Sequence, residues 1–226
     1  MSRLQFIWFD FGGVLSPPIP ALFAQYQVKT GLDPQVLQQA MQDVADDLGV
    51  PMLAPIECGL LSEAEWGRRL EQALRRRHRH LDVSRARLQA FGEHWFAGVP
   101  ANAPLVAAVR ALKQAGYRVG ILTNNVQEWS PHWRAMVGLD EVIDLLVDSS
   151  EQGCRKPDAA IFDIATLRSG VGAQASLLID DLAENVAAAA ALGWQTLHFI
   201  DNGQALAHLQ CLTGVSLLHL AQEYQR

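Results

Sequence analysis

Short apolar runs alternate along this chain with stretches of helical periodicity, and each run stops at polar residues. Leu4 to Phe9 ends at Asp10, with Gly12-Gly13 close behind. Val119 to Leu122 ends at Thr123-Asn124-Asn125, and Asp144 to Val147 at Asp148-Ser149-Ser150. Leu177 to Ile179 ends at Asp180-Asp181, and Gln195 to Ile200 at Asp201-Asn202-Gly203. Runs of this length bounded by turn residues read as buried strands. Between them, Pro104 to Ala115, Pro157 to Arg168 and Ala183 to Leu192 read as helices, the first and last closed by Gly116 and Gly193. Strands alternating with helices predict a mostly parallel sheet covered on both faces, an α/β fold.

The stretch from Ser16 to Pro100 departs from this alternation. It holds no convincing buried strand, and Leu22 to Val28, Pro34 to Val44, Ser62 to Arg75 and Ser84 to Trp95 read as helices. The expected organisation is a core made of residues 1–15 and 101–226, interrupted by a helical insertion at 16–100. Pro17, Pro18, Pro20 and Pro100 would mark its two hinges.

Polar residues at the carboxyl ends of parallel strands face the crevice where ligands bind in open α/β sheets. Asp10, Thr123, Asn124 and Asp180-Asp181 can therefore meet although far apart in sequence. Adjacent carboxylates at a buried strand end repel unless a cation neutralises them. With Asp10 they make an oxygen-rich site suited to a hard ion such as Mg²⁺. Lys156, ahead of a helix, offers a mobile cation near a positive helix terminus. A nucleophilic carboxylate, a metal, a hydroxyl and a lysine are the parts that phosphoryl transfer through an aspartyl-phosphate requires.

The ordered motifs resemble those of the haloacid dehalogenase-like (HAD) superfamily over nearly the whole chain. They are Phe9-Asp10-Phe11-Gly12-Gly13-Val14, then Ile121-Leu122-Thr123-Asn124-Asn125, then Arg155-Lys156-Pro157 with Ile161-Phe162, then Ile179-Asp180-Asp181 with Asn185 and the helix ending Leu192-Gly193. The insertion resembles the family's helical cap, and Glu57-Cys58-Gly59-Leu60-Leu61-Ser62 resembles the cap segment that approaches the active site. The pattern is most similar to bacterial sugar-phosphate phosphatases and the phosphatase domain of epoxide hydrolases.

The resemblance implies a Rossmann-like parallel-sheet core with an inserted cap and a Mg²⁺-dependent phosphatase cleaving a small phosphomonoester, possibly a sugar phosphate. In that reading Asp10 is nucleophile and metal ligand, Thr123, Asn124 and Lys156 hold the phosphoryl group, and Asp180 and Asp181 complete the metal site with the Gly12 carbonyl. Asn185 orients the last loop. The family's phosphatases mostly carry a second Asp at the position of Gly12, as general acid and base. Glycine keeps the carbonyl but loses the proton transfer, which implies slow turnover of poor leaving groups. Two alternatives are a metal-independent 2-haloacid dehalogenase, against which the Asp180-Asp181 pair argues, and a catalytically weak member that binds a phosphorylated ligand.

A net charge of −6 over 226 residues, with a pI near 5.6, argues against nucleic acid as a partner. Cys58, Cys154 and Cys211 are too dispersed for a disulfide framework or a zinc site. With no basic-then-apolar leader in Met1 to Asp10 and no apolar stretch of membrane-spanning length, a soluble cytoplasmic protein is expected. The basic run Arg75 to His80 reads as a solvated helix end. His198 alternates within an apolar strand as a structural residue. Of the six tryptophans, Trp129 and Trp133 stand nearest the second motif.

Overall fold

The computed structural model describes residues 4–223. The first three residues of the Met1 to Asp10 stretch, and the last three of the 101–226 span, lie outside the described residues. Five parallel strands form one sheet: β1 (Phe6–Phe9), β2 (Arg118–Thr123), β3 (Leu145–Asp148), β4 (Ser176–Asp180) and β5 (Gln195–His198), in the order β3-β2-β1-β4-β5. β1 is central, with Phe9 level with Ile121 on one side and Ile179 on the other. Chain direction along the sheet reverses between β1 and β4, so the carboxyl end of β1 lies at the topological switch point.

β1 shows why the sheet is buried on both faces. Phe6 and Trp8 point into one core with Leu122, Phe162 and Trp194, whereas Ile7 and Phe9 point into the other. The second core is continuous with the interior of the helical insertion, so Leu37, Trp66, Leu70 and Phe91 share a cluster with Ile121 and Ile179.

The insertion contains α1 (Ile19–Thr30), α2 (Pro34–Asp46), α3 (Ala54–Glu57), α4 (Glu63–Arg77) and α5 (Phe91–Phe96), with no strand among residues 16–100. Asp33 caps α2 by accepting from Gln35 and Val36, and Ser62 caps α4 by accepting from Glu65. Its two ends are tied together, because Asn102 donates from its backbone to the Leu15 carbonyl at 2.9 Å and from its side chain to the Val14 carbonyl at 2.7 Å. After it come α6 (Ala103–Gln114), α7 (Ser130–Val137), α8 (Ser149–Gln152), α9 (Ala159–Ser169), α10 (Ala183–Ala191), α11 (Asn202–Thr213) and α12 (Leu218–Glu223).

One expected helix is corrected. Ser84 to Trp95 is not one helix: Ser84 to Ala86 form a turn, Arg87 takes a left-handed φ of 47°, a 3₁₀ turn covers Leu88–Ala90 and only α5 is helical. The segment lies tight against α4. Gly67 of α4 presses so closely on the Leu88 carbonyl that a Cβ there would collide with it. The expected Gln195 to Ile200 strand stops at His198, and Ile200 is exposed. Arg75 pairs with Glu71 at 2.7 Å and Arg77 with Asp43 at 2.5 Å, so these members of the basic run have acidic neighbours. All three cysteines are free. Among the described residues no helix is long and apolar enough to cross a membrane.

Candidate active site

Asp10 leaves β1 in extended conformation, and its Oδ1 accepts the Phe11 backbone N–H at 2.7 Å. The chain then turns sharply through Gly12 and Gly13. Gly13 has φ +75°, and a Cβ there would collide with the Asp181 carboxylate. Glycine is therefore required twice over, for conformation and for clearance. Ser16 closes the turn, its Oγ accepting the Gly13 N–H at 3.0 Å.

The strand ends bring the acidic residues together. Asp10, Asp180 and Asp181 each offer a carboxylate oxygen within 4.8 Å of the others. Lys156 lies among them with no exposed surface. Its Nζ donates to Asp10 Oδ1 at 2.9 Å, to Asp180 Oδ2 at 2.6 Å and to the Leu122 carbonyl at 2.8 Å. All three ammonium protons are thus engaged, which corrects the expectation of a mobile cation. Burial pulls the Lys156 pKa down, but Asp10 and Asp180 outweigh that and hold it above the ordinary lysine value.

Asn124 turns its side-chain amide onto the Lys156 backbone. Its Nδ2 donates to the Lys156 carbonyl at 2.9 Å and its Oδ1 accepts the Lys156 N–H at 2.8 Å. Both halves of the amide fasten the Lys156 backbone to the end of β2. Thr123 is buried at that same strand end. Asn185 donates to both oxygens of Asp180, at 3.0 and 3.1 Å, and Leu182 N–H adds a bond at 2.9 Å. Asp180 is thereby fixed, while Asp181 is half-buried on the Gly13 turn.

Two contacts had no counterpart in the sequence reading. His198 ends β5 with its side chain exposed and its Nε2 3.0 Å from the Asp181 carbonyl, so the ring lies against the acidic loop. From the insertion, Glu57 pairs with Arg155 at 3.0 Å, joining α3 to the residue before Lys156. The acid-Cys-Gly segment and the Arg-Lys pair were each visible in sequence, but their pairing was not.

Electrostatics fit a divalent cation. Three carboxylates face one ammonium, leaving two negative charges uncompensated when all are ionised. Burial is the main cause lifting Asp10 to about 7; Lys156 opposes it, and Asp180 and Asp181 add to it. Burial, then Asp180, also raises Asp181.

A pH prediction follows for the metal-free protein. Folded Asp10 holds a proton that the unfolded chain releases near the ordinary value of 3.8, so the folded state binds more protons between about pH 4 and 7. Stability should fall as pH rises through that window. Thermal melts in chelator should show a lower Tm at pH 8 than at pH 5.5, and Mg²⁺ should raise Tm more at pH 8. Equal Mg²⁺ effects at both pH values would contradict this.

This architecture is that of an α/β protein with an acidic cluster at the switch point of a parallel sheet. A model of the haloacid dehalogenase-like hydrolase family matches residues 7–193, and the chain belongs to that family. It is 26% identical over 93% of its length to bifunctional epoxide hydrolase 2 of Sus scrofa, of which it spans 39%. It is 29% identical over 50% of its length to the sesquiterpene phosphatase astK of Aspergillus oryzae, spanning 58% of that protein. The chain therefore spans well under two thirds of these relatives. A HAD-family enzyme from Bacteroides thetaiotaomicron, solved in complex with magnesium and inorganic phosphate, shares the fold at TM-score 0.64 and 19% identity, over 91% of this chain and 98% of that one.

Proposed function

We propose that this protein is a Mg²⁺-dependent phosphatase acting on a small phosphomonoester through a phosphorylated Asp10. The observation that carries the reading is the convergence of Asp10, Asp180 and Asp181 around a buried lysine. Its similarity to a sesquiterpene phosphatase, and to a HAD-family fold neighbour that binds magnesium and inorganic phosphate, supports it. Asp10, Asp180 and Asp181, with the Gly12 carbonyl, would hold the ion. When bound, it would offset charge on the phosphoryl oxygens.

The chain's own groups account for the rest. The Asp10 carboxylate attacks phosphorus, the ester oxygen leaves with its bonding electrons, and water then hydrolyses the aspartyl-phosphate. Lys156 holds Asp10 in place and offsets phosphoryl charge as a fixed cation, and Thr123 offers its hydroxyl to a phosphoryl oxygen. Asn124 and Asn185 act through Lys156 and Asp180 as positioning residues. Residues 16–100 serve as a cap that excludes bulk water, and Glu57–Arg155 ties that cap to the core.

The test is phosphate release from p-nitrophenyl phosphate and acetyl phosphate, present with Mg²⁺, lost in chelator and restored by excess Mg²⁺. Halide release from 2-halo acids in chelator, without phosphatase activity, would overturn the reading in favour of a dehalogenase.

Gly12 makes a separate prediction. Its φ of −65° and ψ of 121° suit any residue, and an added Cβ would meet only Ile19 Cδ1 at 3.6 Å. Gly12→Asp should therefore fold and supply the missing acid. Turnover of an alkyl phosphate should rise by about 10²-fold or more, with p-nitrophenyl phosphate changed little. Equal effects on both substrates would show that proton transfer to the leaving group is not what glycine withholds.

A further inference from the structure

A cavity of about 200 Å³ lies against the turn that follows Asp10 and runs into the helical insertion. Phe11, Gly12, Asn124 and Asn125, from the turns after β1 and β2, line its inner end. Beyond them the walls are carbon: Phe23, Met41, Leu53, Ile56, Phe96 and Trp129.

The few polar groups on the wall are mostly engaged already. Both ends of the Asn124 amide bind the Lys156 backbone. Asn125 Oδ1 accepts the Val126 N–H at 2.9 Å. Ser16 Oγ accepts from Gly13 and donates to the Pro17 carbonyl at 3.0 Å. Glu57 forms an ion pair with Arg155 at 3.0 Å, although its Oε2 accepts no hydrogen bond. Gln38 is exposed, at the solvent side of the wall. A sugar placed here would set most of its hydroxyls against carbon, with only Asn125 Nδ2, Glu57 and Gln38 left to partner them, which is unfavourable. A hydrocarbon would lose only its contact with water, which is favourable.

Resting on the phosphatase reading, we infer that the substrate is the phosphate monoester of an apolar alcohol, its phosphoryl group at Asp10 and its carbon chain in this cavity. The sugar phosphate expected from sequence is replaced by an aliphatic or aryl ester. At roughly 30 Å³ per heavy atom the space takes on the order of seven carbons, and longer groups would project past the partly exposed Ile19 at the wall.

The test uses the full chain with Mg²⁺ and n-alkyl phosphates from ethyl to decyl, beside glycerol phosphate and glucose 6-phosphate. kcat/KM should climb about fourfold per added methylene and level off near seven carbons. Polyol esters should trail the alkyl ester of equal size by at least tenfold. A flat series, or polyol esters that match or lead, overturns the inference. Leu53→Asn and, separately, Ile19→Asn should flatten the slope; if both variants fold, as judged by circular dichroism, and both keep the slope, the chain does not occupy this cavity.

Binding of n-alkylphosphonates, followed by tryptophan fluorescence, needs no turnover and so separates this inference from the phosphatase reading. Affinity that climbs with chain length in a protein hydrolysing no monoester supports the cavity's assignment and removes the phosphatase. Hydrolysis of p-nitrophenyl phosphate with affinity indifferent to chain length does the reverse.

Discussion

Asp10→Asn is expected to reduce phosphate release by roughly 10⁴- to 10⁶-fold, the scale seen when a covalent nucleophile is removed. The amide has nearly the same shape and still accepts the Phe11 N–H, but its oxygen does not attack phosphorus. Stability should move the other way. Ionised Asp10 is disfavoured in the folded site, chiefly by burial. A neutral isostere removes that cost, so the metal-free variant at pH 8 should melt at or above the unsubstituted protein. Mg²⁺ should raise its Tm less, since one of three carboxylates is gone. Lost activity with a lower Tm would point to a folding role for Asp10. Retained activity would exclude it as nucleophile.

Lys156→Met has the largest expected effect on stability. Its ammonium is fully buried between Asp10 and Asp180. Removing one member of a buried charge cluster leaves the rest uncompensated and costs about 3–5 kcal/mol. For a chain of this size that lowers Tm by roughly 6–20 °C. The deficit should be larger at pH 8 than at pH 5.5, because acid protonates the carboxylates that lost their partner. Mg²⁺ should recover part of the Tm but not the turnover. A Tm loss independent of pH would mean that Lys156 matters for packing rather than charge.

The site's chemistry was legible in the sequence because it is locally encoded. An apolar run that stops at Asp10, Thr123 or Asp180 announces a strand end, and parallel topology puts such ends side by side. The longer helices of the insertion were legible from periodicity, but the short α3 was not read and Ser84 to Trp95 is helical only over α5. There the periodicity persists, but Arg87 takes a left-handed φ and the Leu88 carbonyl packs tightly on Gly67 of α4. Lys156 was readable as a cation and not as a buried one, since its burial depends on three acceptors supplied by β2, β4 and the Asp10 turn. The same holds for Asn124, whose partner lies 32 positions away. His198 read as a structural strand residue, and it does end the edge strand β5, but its contact with the Asp181 carbonyl joins residues 17 positions apart.

One oxygen of Glu63 joins the insertion to the sheet region. Glu63 Oε1 accepts the Trp129 indole N–H at 2.7 Å and the Gly92 N–H at 2.6 Å, and a side chain at Gly92 would strike the Trp129 ring. Trp129 also stacks on Phe91 with ring centroids 5.5 Å apart. The cavity wall is thus a seam sewn from both segments, and neither half encloses a guest alone. Recognition can be retuned along that seam, by exchanging one ring for another, while the acidic cluster at the strand ends stays as it is.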